Sequence, residues 1–406
     1  MSMNLVNEAI AIVSMGLLRF GSPLPLVLKV ILLFSYYYVY EYAVVARMYV
    51  LTILSLHVIA VFYKDRLKRP IIYALALALL FQTSFYSLTP AVILFIYFFI
   101  DIFKNSRLNF KNVLSILIVL ITSFYTLITY IPRTNGPKEL YSLSDPVFEF
   151  KKTISDAIVP SIISKIPYLG YPFIGNTIFW LTICVYVFYL FSIFPRTKVF
   201  VLSLLTFLWL IIANTFLHPG TIRHHGQFLI YLIFFLWISP VYTTKSKVLY
   251  LFKTACYCVL IALSILSIGS SIHVIIKDYR YNFSGAFDIS QYIKQNKLDS
   301  KPTVLYTAFD GETILPYFDK KTFWYPELQT FDRYHINDSR YMNLLRLEDG
   351  EVKNVIKEYF PSSGDSLILT SDPYLNLEPE YKLIHESLAN SFWSNDTESF
   401  WLYQKN

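Results

Sequence analysis

Long apolar segments alternate with short polar ones through the first two thirds of this chain. The runs Val113–Ile131, Val199–Leu217 and Leu249–Ile275 each approach or exceed the roughly 20 residues that cross a bilayer as an α-helix. The pattern predicts nine or ten membrane-spanning helices within residues 1–275. Their predicted bounds are 3–18, 25–40, 46–63, 70–87, 89–103, 113–131, 173–194, 199–217, 227–242 and 249–275.

The pattern changes after Ile276, where short apolar runs are bounded by glycine, proline and aspartate. Val304–Thr307, Thr322–Tyr325 and Leu367–Thr370 are typical of buried strands, and Glu351–Phe360 is typical of an amphipathic helix that ends before Pro361. Alternating strands and helices predict a small α/β domain over residues 276–406. The predicted fold class is therefore mostly α, a polytopic transmembrane helix bundle over residues 1–275 followed by this domain.

Composition and charge agree with a membrane protein. The chain is 55% hydrophobic and only 16% charged, which is too apolar for a soluble domain of this size. The basic residues lie in alternate short loops, which the positive-inside rule makes cytoplasmic. They are Arg19; Lys64, Arg66, Lys68 and Arg69; Lys104, Arg107 and Lys111; Arg196 and Lys198; and Lys245 and Lys247. The positive charge thus indicates membrane orientation and does not indicate nucleic acid as a partner.

The remaining loops are then predicted to face outward, and with them Met1 and the acidic C-terminal domain. We expect a multi-pass protein of a bacterial plasma membrane. The long outer loop, residues 133–171, is weakly amphipathic around Phe148, Ile154 and Asp156. That pattern fits an interfacial helix on the outer leaflet, and equally a helix packed on the bundle.

One candidate binding segment is the outer turn Tyr40–Tyr49, which contains Glu41 and Arg47. Polar groups at this depth are costly unless they are paired or functional. One interpretation is an ion pair between Glu41 and Arg47 that caps a tight hairpin. The other is a site in which Arg47 pairs with a phosphate while Tyr49 and its neighbours line a sugar or lipid groove.

The second candidate segment is His218–Gly226, with His218, Arg223, His224 and His225. A metal site is disfavoured, because adjacent histidines point in different directions on a helix and no carboxylate or cysteine is near in sequence. An arginine with titratable imidazoles suits a phosphate or pyrophosphate headgroup, and an ordinary polar interfacial loop is the alternative. We predict no metal and no cofactor.

Two lone polar residues have structural interpretations. His57 lies in the middle of a predicted helix and is expected to be a hydrogen-bonded packing histidine. Asp101 lies near the cytoplasmic end of its helix, where solvation or a partner lysine is expected.

A family resemblance joins these segments. Phe20-Gly-Ser-Pro-Leu-Pro25, the Tyr40–Tyr49 turn and Arg223-His-His-Gly226 resemble a bacterial branch of the GT-C superfamily, polytopic glycosyltransferases related to protein O-mannosyltransferases and the lipid A aminoarabinose transferase. The resemblance covers about residues 1–275. It implies transfer of a sugar from a polyprenyl-phosphate donor to a cell-envelope glycan, lipid or protein on the outer face, with membrane lipids as the other partner.

The same resemblance implies a catalytic base that this sequence does not offer in the expected place. Family members present an aspartate, typically in an Asp-Glu pair, in the first external loop after the first transmembrane helix. Here Glu8 is the only acid before Glu41, so we expect a truncated or degenerate member that lacks this helix and loop, and we assign no catalytic residue. A transporter or flippase for lipid-linked oligosaccharide, an O-antigen-polymerase-like enzyme and a membrane scaffold are the alternatives.

Overall fold

The computed structural model divides the chain into two compact units, one ending at His273 and the other starting at Val274. Most of the chain is helical, and a small sheet lies near the C-terminus. The described residues are 3–45, 48–105, 109–130, 145–165, 172–194, 196–217, 220–239, 246–280, 284–306, 313–319, 321–326, 329–332, 354–358, 360, 366–371, 377, 379–388 and 399–406.

Helices dominate the first unit, and the longer ones are apolar. They are α1 (Met3–Gly16), α2 (Leu26–Leu33), α3 (Tyr49–Phe62), α4 (Pro70–Thr83), α5 (Leu88–Asn105), α6 (Phe110–Tyr130), α7 (Pro146–Asp156), α8 (Pro172–Ile193), α9 (Thr197–Ile212), α10 (Ile222–His225), α11 (Gln227–Ile238) and α12 (Lys247–Arg280). Within the described part of the chain, five segments are long and apolar enough to cross a membrane. They are Phe85–Lys104, Phe110–Thr129, Ile174–Ile193, Lys198–Leu217 and Lys247–Arg280.

The other predicted crossings form shorter helices. α1, α3 and α4 each contain 14 residues, about 21 Å of helix against a hydrocarbon core of about 30 Å. The predicted crossing 227–242 is α11, in which every residue is buried. A helix that is apolar all round belongs in the interior, so α11 is a central element of the bundle.

The predicted crossing 25–40 is wrong as a single helix, because the chain breaks after α2. The Ser271 hydroxyl donates to the Phe34 carbonyl at 3.2 Å, and the Tyr36 amide donates to Ser267 Oγ at 3.1 Å. These α12 hydroxyls bind backbone groups that a continuous helix would have paired, which makes the break tolerable in apolar surroundings. A π-helical turn, Tyr37–Glu41, follows the break.

Asp101 confirms the expectation of a partner lysine and adds an arginine. Its Oδ1 accepts from Lys198 Nζ at 3.0 Å, and its Oδ2 accepts from Arg66 Nε at 3.0 Å. Burial lowers the pKa of the Arg66 guanidinium, but its hydrogen bond to Asp101 and the charges of Asp101 and nearby tyrosines together outweigh that effect, so the pKa is raised. Two of the predicted cytoplasmic loops are therefore held at one end of the bundle.

The second unit is built on a six-stranded mixed sheet of order β3-β2-β1-β4-β6-β5. Its strands are β1 (Thr303–Tyr306), β2 (Phe323–Tyr325), β3 (Thr330–Asp332), β4 (Leu367–Thr370), β5 (Tyr381–Ser387) and β6 (Phe400–Lys405). β1 pairs parallel with β2 and β4, with Val304 opposite Trp324 and Ile368, and the other pairings are antiparallel.

Apolar residues cover both faces of this sheet. Helix α13 (Ala286–Gln295) packs Ile289 and Ile293 on one face, and Ile356 and Phe360 pack on the other. Residues 354–358 are helical, within the predicted helix 351–360. The three predicted strands are confirmed to within a residue. The sequence pattern missed β3, which is very short, and β5, which carries exposed polar residues along an edge.

Candidate functional site

The segment Thr221–Gly226 folds as a single helical turn that fixes three of the predicted site residues. The Thr221 amide donates to His224 Nδ1 at 2.9 Å, the reciprocal half of a capping box. Arg223 Nε donates to Thr221 Oγ1 at 2.9 Å. Arg223 and His224 are half-buried, whereas His225 is fully buried. One turn therefore presents a cation outward and an imidazole inward.

Gly226 is required where this turn meets tyrosines on both sides of Glu41 in sequence. A Cβ on Gly226 would lie 2.3 Å from the Tyr37 ring and 2.7 Å from the Tyr42 hydroxyl. The Tyr42 hydroxyl donates to the Arg223 carbonyl at 2.5 Å. Burial, and then the charge of Glu41, raise the pKa of Tyr42 well above its ordinary value, so it remains a neutral donor. The two candidate segments of the sequence are thus in direct contact.

A carboxylate from the loop 133–171, which is predicted to face outward, completes the buried part of the site. Helix α7 begins with Asp145 accepting from the Val147 amide and ends at Asp156. His225 Nδ1 lies 3.0 Å from Asp156 Oδ2, and both side chains are fully buried. The Ser161 amide donates to Asp156 Oδ1 at 2.6 Å, and the Tyr37 hydroxyl donates to the Asp156 carbonyl. The C-terminal half of α7 packs on the bundle, as the second interpretation of this loop expects.

The other nitrogen of His225 has no hydrogen-bond partner among the described residues. A carboxylate accepts and does not donate, so Nδ1 carries the proton and Nε2 presents a lone pair in the neutral imidazole. The amide oxygen of Asn214 is also buried without a described partner. A Cβ on Gly220 would lie 2.2 Å from Asn214 Oδ1 and 3.0 Å from His225 Nε2, so both acceptors lie against the same point beside Gly220 and leave no room there for another atom.

Asn214 reaches this point from a second π-helical turn, Ala213–Leu217, which follows α9. π-turns are uncommon and frequent at functional sites. Its Nδ2 donates to the Leu210 carbonyl at 2.9 Å, which leaves Oδ1 directed away from its own helix. Further polar atoms without a described partner lie on Thr153, Thr215 and Gln227, within or next to the same segments.

Aromatic rings surround His224 at the half-buried rim. The Tyr86 ring stacks on its imidazole with centroids 5.0 Å apart, and the Tyr49 ring meets it edge-on at 5.7 Å. In the part of the chain that the structure describes, no carboxylate forms an ion pair with Arg223. A half-buried guanidinium beside aromatic faces can bind a phosphate and stack a sugar ring.

The predicted site residues have different outcomes. Tyr49, Arg223, His224 and His225 come together, whereas Glu41 is buried and accepts from the Tyr36 hydroxyl at 2.6 Å. Arg47 and His218 lie outside the described residues, so the predicted approach of Glu41 to Arg47 stays a prediction. Sequence reasoning missed Asp156, because it looked for a carboxylate near the histidines in sequence, and Asp156 is 69 residues from His225.

Metal-ligating side chains do not gather in threes anywhere in the described ranges. The Asp156–His225 pair is therefore a two-residue arrangement there. Comparisons with protein families, with curated proteins and with solved structures found no match to this chain.

Proposed function

We propose that this chain is a multi-pass membrane glycosyltransferase of the GT-C type. It takes a sugar from a polyprenyl-phosphate donor and passes it to a cell-envelope acceptor at the outer face of the plasma membrane. The observation that carries the proposal is Arg223, a half-buried cation with no described carboxylate partner, next to His224 and two tyrosine rings. Five apolar helices of membrane length support the membrane setting.

The contacts between loops support their predicted division into two sides. Tyr42 binds the Arg223 carbonyl and Asp156 binds His225, so three segments that the charge pattern predicts to be external meet at one helical turn. Arg66 and Lys198 come from two loops predicted to be cytoplasmic, and both bind Asp101. Loops on the same side of a membrane can contact one another, and the positive-inside rule supplies the direction.

The chemistry of the leaving group explains why a cation is needed. When the sugar leaves its carrier, the lipid phosphate gains negative charge, and a positioned guanidinium stabilises that charge through two parallel N–H donors. Arg223 Nε is already held by Thr221 Oγ1, which leaves the terminal nitrogens to bind phosphate oxygens. Tyr49 and Tyr86 offer ring faces and edges for a sugar.

The test measures donor binding and sugar release by the full chain in lipid nanodiscs, with a panel of radiolabelled polyprenyl-phosphate hexoses. Arg223→Ala is expected to weaken donor binding at least tenfold, and Arg223→Lys to recover part of it. Arg19→Ala is the matched control, because Arg19 is also half-buried but lies in a predicted cytoplasmic loop. Donor binding that is equal in wild type, Arg223→Ala and Arg19→Ala would refute the phosphate site.

A transporter of lipid-linked sugar is the second candidate, and the broken segment after α2 favours it. Discontinuous helices with unpaired backbone groups are frequent in transporters, and this chain breaks between Leu33 and Tyr37. The two functions differ in their product. A fluorescent polyprenyl-phosphate sugar that crosses the bilayer of proteoliposomes unchanged would identify transport, whereas a labelled sugar covalently attached to an acceptor would identify transfer.

A further inference from the structure

We propose that the first half of α7 is a lipid-binding surface that lies in the interfacial layer of the membrane. Val147 and Phe148 contact the acyl chains, and Lys151 binds a phospholipid phosphate. The partner is therefore the bilayer itself and not a further protein. This surface plays no part in the proposed sugar transfer, so the lipid contact and the transfer can fail independently of each other.

The two sides of α7 differ in what they contact. Glu149, Thr153 and Asp156 are buried and form the side that packs on the bundle. Val147 and Phe148 are each 60% exposed, and Lys151 is also exposed. At 3.6 residues per turn, Val147, Phe148 and Lys151 fall within about 100° of one another on the opposite side. α7 therefore presents an uncovered apolar stripe that includes a cation.

Helix α8 indicates the depth at which α7 lies. α8 contains the membrane-length segment Ile174–Ile193. Near the start of this segment the exposed residues Asn176 and Thr177 are polar, whereas Trp180, one turn later, is 63% exposed. Tryptophan is enriched where the headgroups meet the hydrocarbon, because its ring is apolar and its N–H is polar. The change between Thr177 and Trp180 therefore marks that boundary on α8.

Phe150 joins α7 to the same boundary. Its ring meets the Phe179 ring edge-on with centroids 6.2 Å apart, and the Phe179 ring meets the Trp180 ring with centroids 5.1 Å apart. Val147 and Phe148 are two or three residues from Phe150, at most about 5 Å along the helix axis. They therefore lie near the boundary whatever the tilt of α7.

The charges on α7 suit the phosphate layer. Lys152 Nζ lies 3.8 Å from Glu149 Oε2, so part of its charge is balanced within the helix, and Asp145 is exposed at the helix start. Within the described ranges, no carboxylate forms an ion pair with Lys151. A lysine at an interface lays its apolar stem over the acyl chains and keeps its ammonium among the phosphates. Lys151 is therefore the cation available to a lipid phosphate.

Water and a second copy of the chain are the competing neighbours of this stripe. Single exposed apolar residues are common on protein surfaces and need no partner. Val147 and Phe148 are adjacent, however, and a row of rings connects their helix to the exposed Trp180. At the boundary between headgroups and hydrocarbon, lipid is the neighbour that meets both the apolar pair and the cation.

The experiment uses the full chain in nanodiscs of phosphatidylcholine and phosphatidylglycerol, with the native cysteines replaced by alanine. A spin label on Phe148→Cys reports collisions with oxygen, which concentrates in hydrocarbon, and with a nickel chelate, which hydrocarbon excludes. Trp180→Cys is the lipid reference, and Lys382→Cys, an exposed position on β5, is the water reference. The oxygen-to-nickel ratio at Phe148→Cys should match Trp180→Cys and exceed Lys382→Cys about tenfold.

The cation is tested with the label kept at Phe148→Cys. Lys151→Glu places a negative charge among the phosphates, so the oxygen-to-nickel ratio should fall about twofold in the anionic nanodiscs and less in phosphatidylcholine alone. Lys247→Glu is the matched control, because Lys247 is an exposed lysine in a predicted cytoplasmic loop, and it should leave the ratio unchanged. Equal ratios with and without Lys151→Glu would overturn the phosphate contact.

The label at Phe148→Cys decides the lipid contact. A ratio equal to that of Lys382→Cys would mean that water covers the stripe and would refute the proposal. Dipolar broadening between labels on two chains would identify a second copy as the occupant and would refute it as well. If Phe148→Cys does not fold, Val147→Cys carries the label, because its side chain is equally exposed on the same side of α7.

Discussion

His57 and His225 are both fully buried in the helical unit, yet their surroundings differ in one respect. His57 Nδ1 lies 2.8 Å from the Ser14 carbonyl and its Nε2 lies 3.2 Å from the Tyr38 hydroxyl. A carbonyl only accepts, so Nδ1 donates and Nε2 accepts from Tyr38. In His225 the same nitrogen, Nδ1, is hydrogen-bonded to the Asp156 carboxylate, but Nε2 has no described partner.

The difference separates a histidine with both ring nitrogens hydrogen-bonded from one with a single described partner. His57 connects α1, α3 and the π-turn after α2, and no hydrogen-bonding capacity remains on its ring. The prediction of a hydrogen-bonded packing histidine is confirmed. His225 contributes its bond to the buried Asp156 carboxylate, while its other nitrogen is a buried acceptor without a described partner.

The largest expected effect comes from exchanging each histidine for glutamine. His225→Gln should lower the free energy of unfolding by about 3–5 kcal/mol, because it takes the imidazole donor away from the fully buried Asp156 carboxylate. His57→Gln should lower it by about 1–3 kcal/mol, because the bonds it disturbs join neutral groups. Denaturant titration in micelles measures both losses, and equal losses would remove the distinction.

Two buried aspartates extend the comparison. Asp101 accepts from Arg66 and Lys198, so Asp101→Asn should cost about 2–3 kcal/mol of stability and leave turnover per folded molecule unchanged. The control is Lys198→Met, which should cost less than about 1 kcal/mol because the Lys198 side chain is 60% exposed. A loss of stability in Asp101→Asn no larger than that in Lys198→Met would show that pairing at Asp101 contributes little.

Two glycines test how tightly the site is packed. Gly226→Ala should lower the free energy of unfolding by about 2 kcal/mol, because its methyl group meets the Tyr37 ring. Gly16→Ala is the control: nothing lies within 4 Å of a Cβ there and the backbone is helical, so a gain of about 0.5 kcal/mol is expected. Thermal unfolding in nanodiscs compares the two variants. Equal stability would mean that the turn shifts enough to accommodate the methyl group.

The smallest effect is expected in the second unit, where Lys321 is a half-buried cation that donates two hydrogen bonds. Its Nζ donates to the carbonyls of Asp299 and Lys301 at 2.8 and 2.9 Å. Burial nevertheless lowers the pKa of Lys321 from 10.5 to about 8, and the charge of Asp299 offsets only part of this. Between these values the unfolded chain binds a proton that the folded chain does not, so stability should rise with pH in that window.

The expected rise is on the order of 1–2 kcal/mol, since partial exposure of the ammonium reduces the full effect. Lys321→Met should not show it, and Lys382→Met, a change at an exposed lysine on β5, should retain it. Unfolding followed by tryptophan fluorescence at several pH values measures it. If the free energy of unfolding changed with pH in wild type as it does in Lys321→Met, the lowered pKa of Lys321 would be contradicted.

Several elements could be predicted from the sequence because they depend on local properties. Apolar length predicts the five membrane-length helices, and strand patterns predict β1, β2 and β4. Apolar length does not predict which helices are interrupted or which are buried among the other helices. α2 ends early because α12 supplies hydroxyls to its backbone, and α11 is central because the other helices surround it.

At the site, the sequence by itself determined the cation, the imidazoles and the glycine of Arg223–Gly226, since they are consecutive and stand out in an apolar chain. Only the tertiary structure decided that His225 is buried while Arg223 and His224 are half-buried. It also decided that Asp156 meets His225 and that Asn214 lies beside Gly220. The physical reason is that these partners come from segments far apart in sequence. Packing of α7, α9 and α10 brings them together, and no local pattern records that packing.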